Sequence, residues 1–113
     1  MPASPRPLAQ LGNSAPVFAA LGDATRLHLV SRLCDRGPLS ITRLASGSRM
    51  SRQAITKHLV VMEKVGLVHG SRRGREMIWE LDANRLDRAR RQLELISQQW
   101  DGALERLRKF VED

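Results

Sequence analysis

"SRQAITKHLVVMEKVGLV", residues 51–68, carries two patterns in one short stretch. Apolar side chains recur at Ile55, Leu59 and Met62, in steps of four and three that place them on one face of a helix. Arg52, Gln53, Thr56 and Lys57 crowd the other side of the same turns. Ser51 precedes the first turn, where a hydroxyl oxygen accepts from a free backbone N–H, and Gly66 stands where the helix must end. One face is built for burial and the other is basic and amide-bearing, so the neighbouring segments decide what the second face is for.

Upstream, residues 15–21 form a short apolar helix closed by Gly22, and Asp23 is placed to cap the helix that follows. That helix, ATRLHLVSRLC, repeats Leu27, Val30 and Leu33 or Cys34 at helical spacing and stops at Gly37-Pro38. Ser40 or a neighbour starts a third, short helix through Leu44 and Ala45, which ends in SGS. Two short helices joined by a small-residue turn, the second basic on its outer face, make a helix-turn-helix. Its second helix is the one that enters DNA.

Downstream, LVHGS (67–71) and EMIWEL (76–81) read as strands; in the latter Met77, Trp79 and Leu81 share one side. Their connection, SRRGR, is a Gly-containing turn with three arginines. A hairpin with a basic tip directly after a helix-turn-helix is a wing, whose tip reaches phosphates or the minor groove. From 84 to 111 the apolar residues Leu86, Ala89, Leu93, Ile96, Trp100, Ala103, Leu107 and Phe110 alternate steps of three and four, a sustained heptad pattern. Such a seam on a chain of 113 residues calls for a partner surface, most simply the same helix in a homodimer; packing on its own domain is the alternative. Gly102 weakens the helix by about 1 kcal/mol relative to Ala, enough for a bend.

Charge supports an anionic partner. Residues 49–75 hold seven Lys or Arg and one acid, Glu63, so this segment carries nearly all of the net charge of +7. The opening 1–14, rich in Pro, Ala and Ser, reads as a flexible leader without the apolar centre of a signal peptide. No apolar run is long enough to cross a bilayer, and a cytoplasmic protein follows. The expected fold is mainly α with a small β-hairpin. It comprises a winged helix-turn-helix over 15–113 with a long C-terminal dimerisation helix at 84–111.

The expected ligand is double-stranded DNA. Gln53 suits adenine, and Arg52 or Lys57 suits guanine or phosphate. Arg49, Ser51 and Thr56 are placed to hold phosphates, His58 to bond a phosphate or pack at the helix edge, and Arg72, Arg73 and Arg75 to contact the backbone from the wing. Cys34 is the only cysteine, read as a small apolar residue ending a helix rather than a redox switch across a dimer. His28, His58 and His69 lie at no ligand spacing, so neither metal nor cofactor is expected, and His69 faces solvent from a strand. Trp79 is read as wing core and Trp100 as dimer seam. Phosphate-binding glycine loops, nucleophile-base motifs and zinc-protease helices are missing, which argues against an enzyme.

"LGDATRLHLVSRL" (21–33), "SRQAITKHLVVMEKVGLV" (51–68) and "GSRRGREMIWEL" (70–81) together resemble the ArsR/SmtB family of winged-helix bacterial repressors over residues 16–110. The resemblance implies dimeric operator binding and derepression by a signal. It also implies dimer contacts from the first and last helices, here Phe18, Leu21, Leu86, Leu93, Ile96, Trp100, Leu107 and Phe110. Metal-sensing members carry Cys-Val-Cys in the short third helix; in "PLSITRLA" (38–45) Ser40 and Thr42 occupy the two cysteine positions, and no histidine follows His69. The chain therefore resembles the non-metal branch, with an unidentified small molecule as one candidate effector. A winged-helix protein-interaction module with only non-specific DNA binding is the competing class.

Overall fold

Local capping sets most of the element boundaries. In a computed structural model describing residues 7–112, helix α1 (Pro7–Leu21) ends at Gly22, and α2 (Ala24–Arg36) begins on Asp23, whose carboxylate accepts from the Arg26 amide at 3.0 Å. Gly37, at φ +77°, closes α2 by donating to the Leu33 carbonyl. Ser40 caps α3 (Ile41–Ala45) through the Arg43 amide, and Ser51 caps α4 (Arg52–Lys64) through the Ala54 amide at 3.1 Å. At the end of α4, Leu67 N–H bonds to the Met62 carbonyl and Gly66 N–H to that of Glu63, with Gly66 at φ +78° and Leu67 fully buried. That paired arrangement needs a left-handed residue, hence glycine.

Strands β2 (Val68–Arg73) and β3 (Glu76–Leu81) form the hairpin, and β1 (Leu39–Ser40) pairs with the other edge of β3, giving an antiparallel sheet in the order β1-β3-β2. The turn is two residues, Gly74-Arg75, with positive φ at Gly74 alone, so SRR of the sequence-read turn is strand. Trp79 lies opposite both Leu39 and Gly70. A Cβ at Gly70 would stand 3.0 Å from the Trp79 ring, so only glycine leaves the indole room to lie across β2.

The core joins Val17 and Ala20 of α1, Leu29, Val30 and Leu33 of α2, Leu44 of α3, and Ile55, Leu59 and Met62 of α4. Leu39, Leu67, Val68, Trp79 and Ala89 complete it. The buried face of α4 is the expected one. On α2 Val30 and Leu33 are buried as expected, with Leu33 rather than Cys34 taking the last position, but Leu27 is 54% exposed and Leu29 is buried in its place. Helix α2 lies among α1, α4 and β3, and these three neighbours draw Leu29 rather than Leu27 into the core.

Two expected boundaries move. Helix α1 starts at Pro7 rather than at 15, so residues 7–14 of the expected leader are helical; 1–6 lie outside the described residues. Pro16 is tolerated inside α1 because packing outweighs local preference, with Ser14, Val17 and Ala20 all buried. Helix α5 (Ala83–Glu112) runs unbroken through Gly102. At about 1.5 Å per residue it spans about 45 Å and overshoots the body, so the radius of gyration, 18.1 Å, exceeds the roughly 13 Å expected of a compact chain this long.

Arginines fasten the joints. Arg32 of α2 donates to the carbonyls of Leu44 (2.7 Å) and Arg43 (2.9 Å), satisfying the last turn of α3 and fastening α3 to α2. Arg32→Met leaves those carbonyls without their charged donor and is expected to cost about 2 kcal/mol, read by urea unfolding at fixed protein concentration.

Asp82 begins α5, accepting from the Arg85 amide at 2.8 Å and from His69 Nε2 at 2.5 Å, so His69 is tied to the helix start rather than only facing solvent. The His69 hydrogen bond, then the Arg85 amide, holds the Asp82 carboxyl below its ordinary 3.8. The folded protein thus binds that proton less readily than the unfolded chain. Its stabilisation is complete above 3.8 and disappears as pH falls through the depressed folded value. Asp82→Asn keeps a capping oxygen but removes this dependence; its urea midpoint should fall less than that of wild type between about pH 5 and pH 3.

Candidate nucleic-acid interface

The exposed face of α4 and the wing meet across one groove of about 320 Å³. Arg52, Gln53 and Thr56 form one wall, Arg72, Arg75, Glu76 and Met77 the other, and Ser40, Ile41 and Thr42 the floor. Burial of Ile55, Leu59 and Met62 fixes the rotation of α4 and so turns Gln53 and Thr56 outward. Three arginines against one carboxylate make the groove electropositive.

Several hydroxyls already have protein partners. Arg52 donates to Thr42 Oγ1 at 2.6 Å, which steadies its guanidinium while leaving further N–H groups free to donate. Thr56 Oγ1 donates to the Arg52 carbonyl at 2.8 Å, so only its lone pairs face outward. The Ser51 oxygen is engaged in capping. Arg49, in the turn before α4, and Lys57, in its second turn, are exposed and lie outside the groove lining. Arg73 is exposed as well, but strand alternation turns it away from Arg72 and out of the groove.

Of the two readings of His58, packing at the helix edge is the one found. Its ring is half-buried between α4 and α2, with Nδ1 3.3 Å from Arg26 Nη1 and 4.0 Å from the Asp23 carboxylate. The cause is the helical angle: His58 adjoins Leu59, so it rotates toward the core that Leu59 occupies. Arg26 also donates to the Ala20 carbonyl at 2.6 Å, so this cluster ties α1, α2 and α4 together. The sequence reading missed Thr42, Glu76 and Met77; only Glu76 and Met77, beside the basic turn, had a local signal.

The second exposed feature is apolar. Leu93 (52% exposed), Trp100 (65%) and Phe110 (82%) stand open on α5 with Leu104, Leu107 and Val111, a stripe wider than the heptad reading, which had omitted Leu104 and Val111. Ile96 is half-buried. Leu86, expected in the same seam, packs with Phe18 and Leu21 against the core of its own chain, because the first turns of α5 lie along α1.

No protein-family model matches the chain. An HTH-type transcriptional regulator of Bacillus subtilis, YuzN, is 39% identical over 70 residues, covering 57% of this chain and 76% of that protein. A solved ArsR-like transcriptional regulator from Rhodococcus sp. RHA1 is 35% identical with a TM-score of 0.69, the match covering 90% of this chain and 95% of that one. The chain belongs to the ArsR family of transcriptional regulators. It is accordingly a DNA-binding regulator with a winged helix-turn-helix fold. The homodimeric winged helix-turn-helix DNA-binding domain of Mb0332 from Mycobacterium bovis is also similar, at 25% identity and a TM-score of 0.62 over 89% of this chain and 90% of that one.

In this ArsR-family chain Ser40 and Thr42 do mechanical work: Ser40 caps α3 and Thr42 holds Arg52. Among the described residues, no three His, Cys, Asp or Glu side chains gather as a metal site, and no helix is long and apolar enough to cross a membrane.

Proposed function

We propose that two copies of this regulator bind an imperfect palindromic operator in the cytoplasm and repress transcription until a signal other than a metal ion releases them. The observation that carries this reading is the groove shared by Arg52, Gln53 and Thr56 of α4 with Arg72 and Arg75 of the wing. Seated in the major groove, α4 presents Gln53 to adenine and Arg52 or Lys57 to guanine, while Arg49, Ser51 and Thr56 hold register on phosphates. The wing arginines, Arg73 included, neutralise the flanking backbone. The open stripe of α5 supports a two-fold dimer, with Phe18 and Leu21 offering their uncovered sides beside it. Two α4 helices would then enter successive major grooves about 34 Å apart.

Salt titration of DNA binding tests the wing. Each phosphate contact contributes about 0.9 to the slope of log affinity against log salt, so Arg72→Ala and Arg75→Ala should each flatten it by about that amount on any sequence. An unchanged slope would remove these arginines from the interface. Equal affinity for all sequences in wild type would favour the protein-interaction module instead.

A further inference from the structure

Helices α1 and α5 enclose a second groove, of about 360 Å³, lined by Asn13, Arg88, Arg91 and Gln92. It lies on different elements from the DNA face. Arg85 ties its walls together by donating to the Asn13 carbonyl at 3.1 Å, so the groove is part of the packed fold. Arg88, Arg91 and Gln92 share one face of α5 at i, i+3 and i+4 spacing. Arg91 is paired with Asp87 at 2.9 Å, whereas Arg88 has no ion pair among the described residues. Gln92 is the anomaly: it is only 5% exposed, and its Oε1 is enclosed without a hydrogen-bond partner.

An apolar residue would pack this position without the cost of an orphaned acceptor. A buried amide that borders a cationic groove is suited to a ligand. We propose that this groove binds a small hydroxycarboxylate. Its carboxylate sits on Arg88 and Arg91, and its hydroxyl oxygen accepts from Gln92 Nε2, the end of the amide that is not enclosed. Asn13 contributes its amide from α1. The groove has room for a ligand of this size. Binding fastens α1 to α5; any consequence for operator affinity rests on the DNA-binding reading above, whereas binding itself does not.

L-malate, succinate and inorganic phosphate serve as probes, titrated calorimetrically into the free full-length protein. Malate should bind saturably below about 10 mM and more tightly than succinate by about fivefold, the worth of one hydrogen bond. Arg88→Ala should weaken malate about tenfold. Gln92→Leu should abolish the preference over succinate while unfolding no earlier than wild type, which separates lost binding from lost fold. Malate should also shift the Asn13 and Gln92 side-chain amide resonances. No saturable binding of any probe, or malate binding unchanged in Arg88→Ala, overturns the site; equal binding of malate and succinate in wild type overturns the role of Gln92. DNA binding plays no part in these readouts, so their failure leaves the operator reading intact.

Discussion

Gln53→Ala and Lys57→Ala should each lower affinity for the preferred DNA sequence by about 1–3 kcal/mol, roughly five- to 150-fold, with little change on random DNA. The argument is geometric. Burial of Ile55, Leu59 and Met62 leaves α4 one rotation, and in that rotation Gln53 and Lys57 are exposed and neither side chain hydrogen-bonds to another of the described residues. Neither substitution touches the core, and Ala is a better helix former than Gln or Lys, so fold and dimer should be unchanged by circular dichroism and sedimentation. Fluorescence anisotropy on specific and scrambled duplexes measures the difference. An equal loss on both sequences would reassign these residues to phosphate contacts.

The larger effect is expected from the seam. About two-thirds of Trp100 stands open, which at about 25 cal/mol per Å² is worth roughly 3 kcal/mol per copy when covered. A two-fold interface counts each substitution twice, so Trp100→Glu, which also places a carboxylate in the apolar stripe, should raise the dimer dissociation constant by a thousandfold or more, as an order-of-magnitude estimate. Light scattering should report a monomer. Operator affinity should fall with it, because one α4 holds only one half-site. The helix-turn-helix, whose core does not include Trp100, should remain folded. A Trp100→Glu dimer of wild-type strength would mean that the copies associate through another face.

The elements that could be read in the sequence are those fixed by local chemistry. Asp23, Ser40 and Ser51 each cap the helix they precede, Gly37 and Gly66 take the positive φ that ends one, and the arginine-rich hairpin turns at Gly74. Residues whose role depends on a distant neighbour were misplaced or missed. Leu27 fits a helical stripe as well as Leu29 does until α1, α4 and β3 take their positions. Two residues of β1 are too few for an alternating pattern and exist because Leu39 meets Trp79. The start of α1 was hidden by Pro16, which resembles the first turn of a helix and here lies inside one. On the DNA face, Gln53 and Arg52 follow from the periodicity of α4 alone, whereas the Arg52 bond to Thr42 and the turn of His58 toward Asp23 join residues ten or more apart.

Selection of binding sites from a pool of random duplex DNA, with the wild-type protein and with Gln53→Ala, tests the central claim most directly. A symmetric dimer that reads bases through α4 should enrich an imperfect palindrome with half-site centres about 10 base pairs apart, and Gln53→Ala should relax the same position in both halves. A selected pool with no common sequence, or a consensus that Gln53→Ala leaves unaltered, would contradict it.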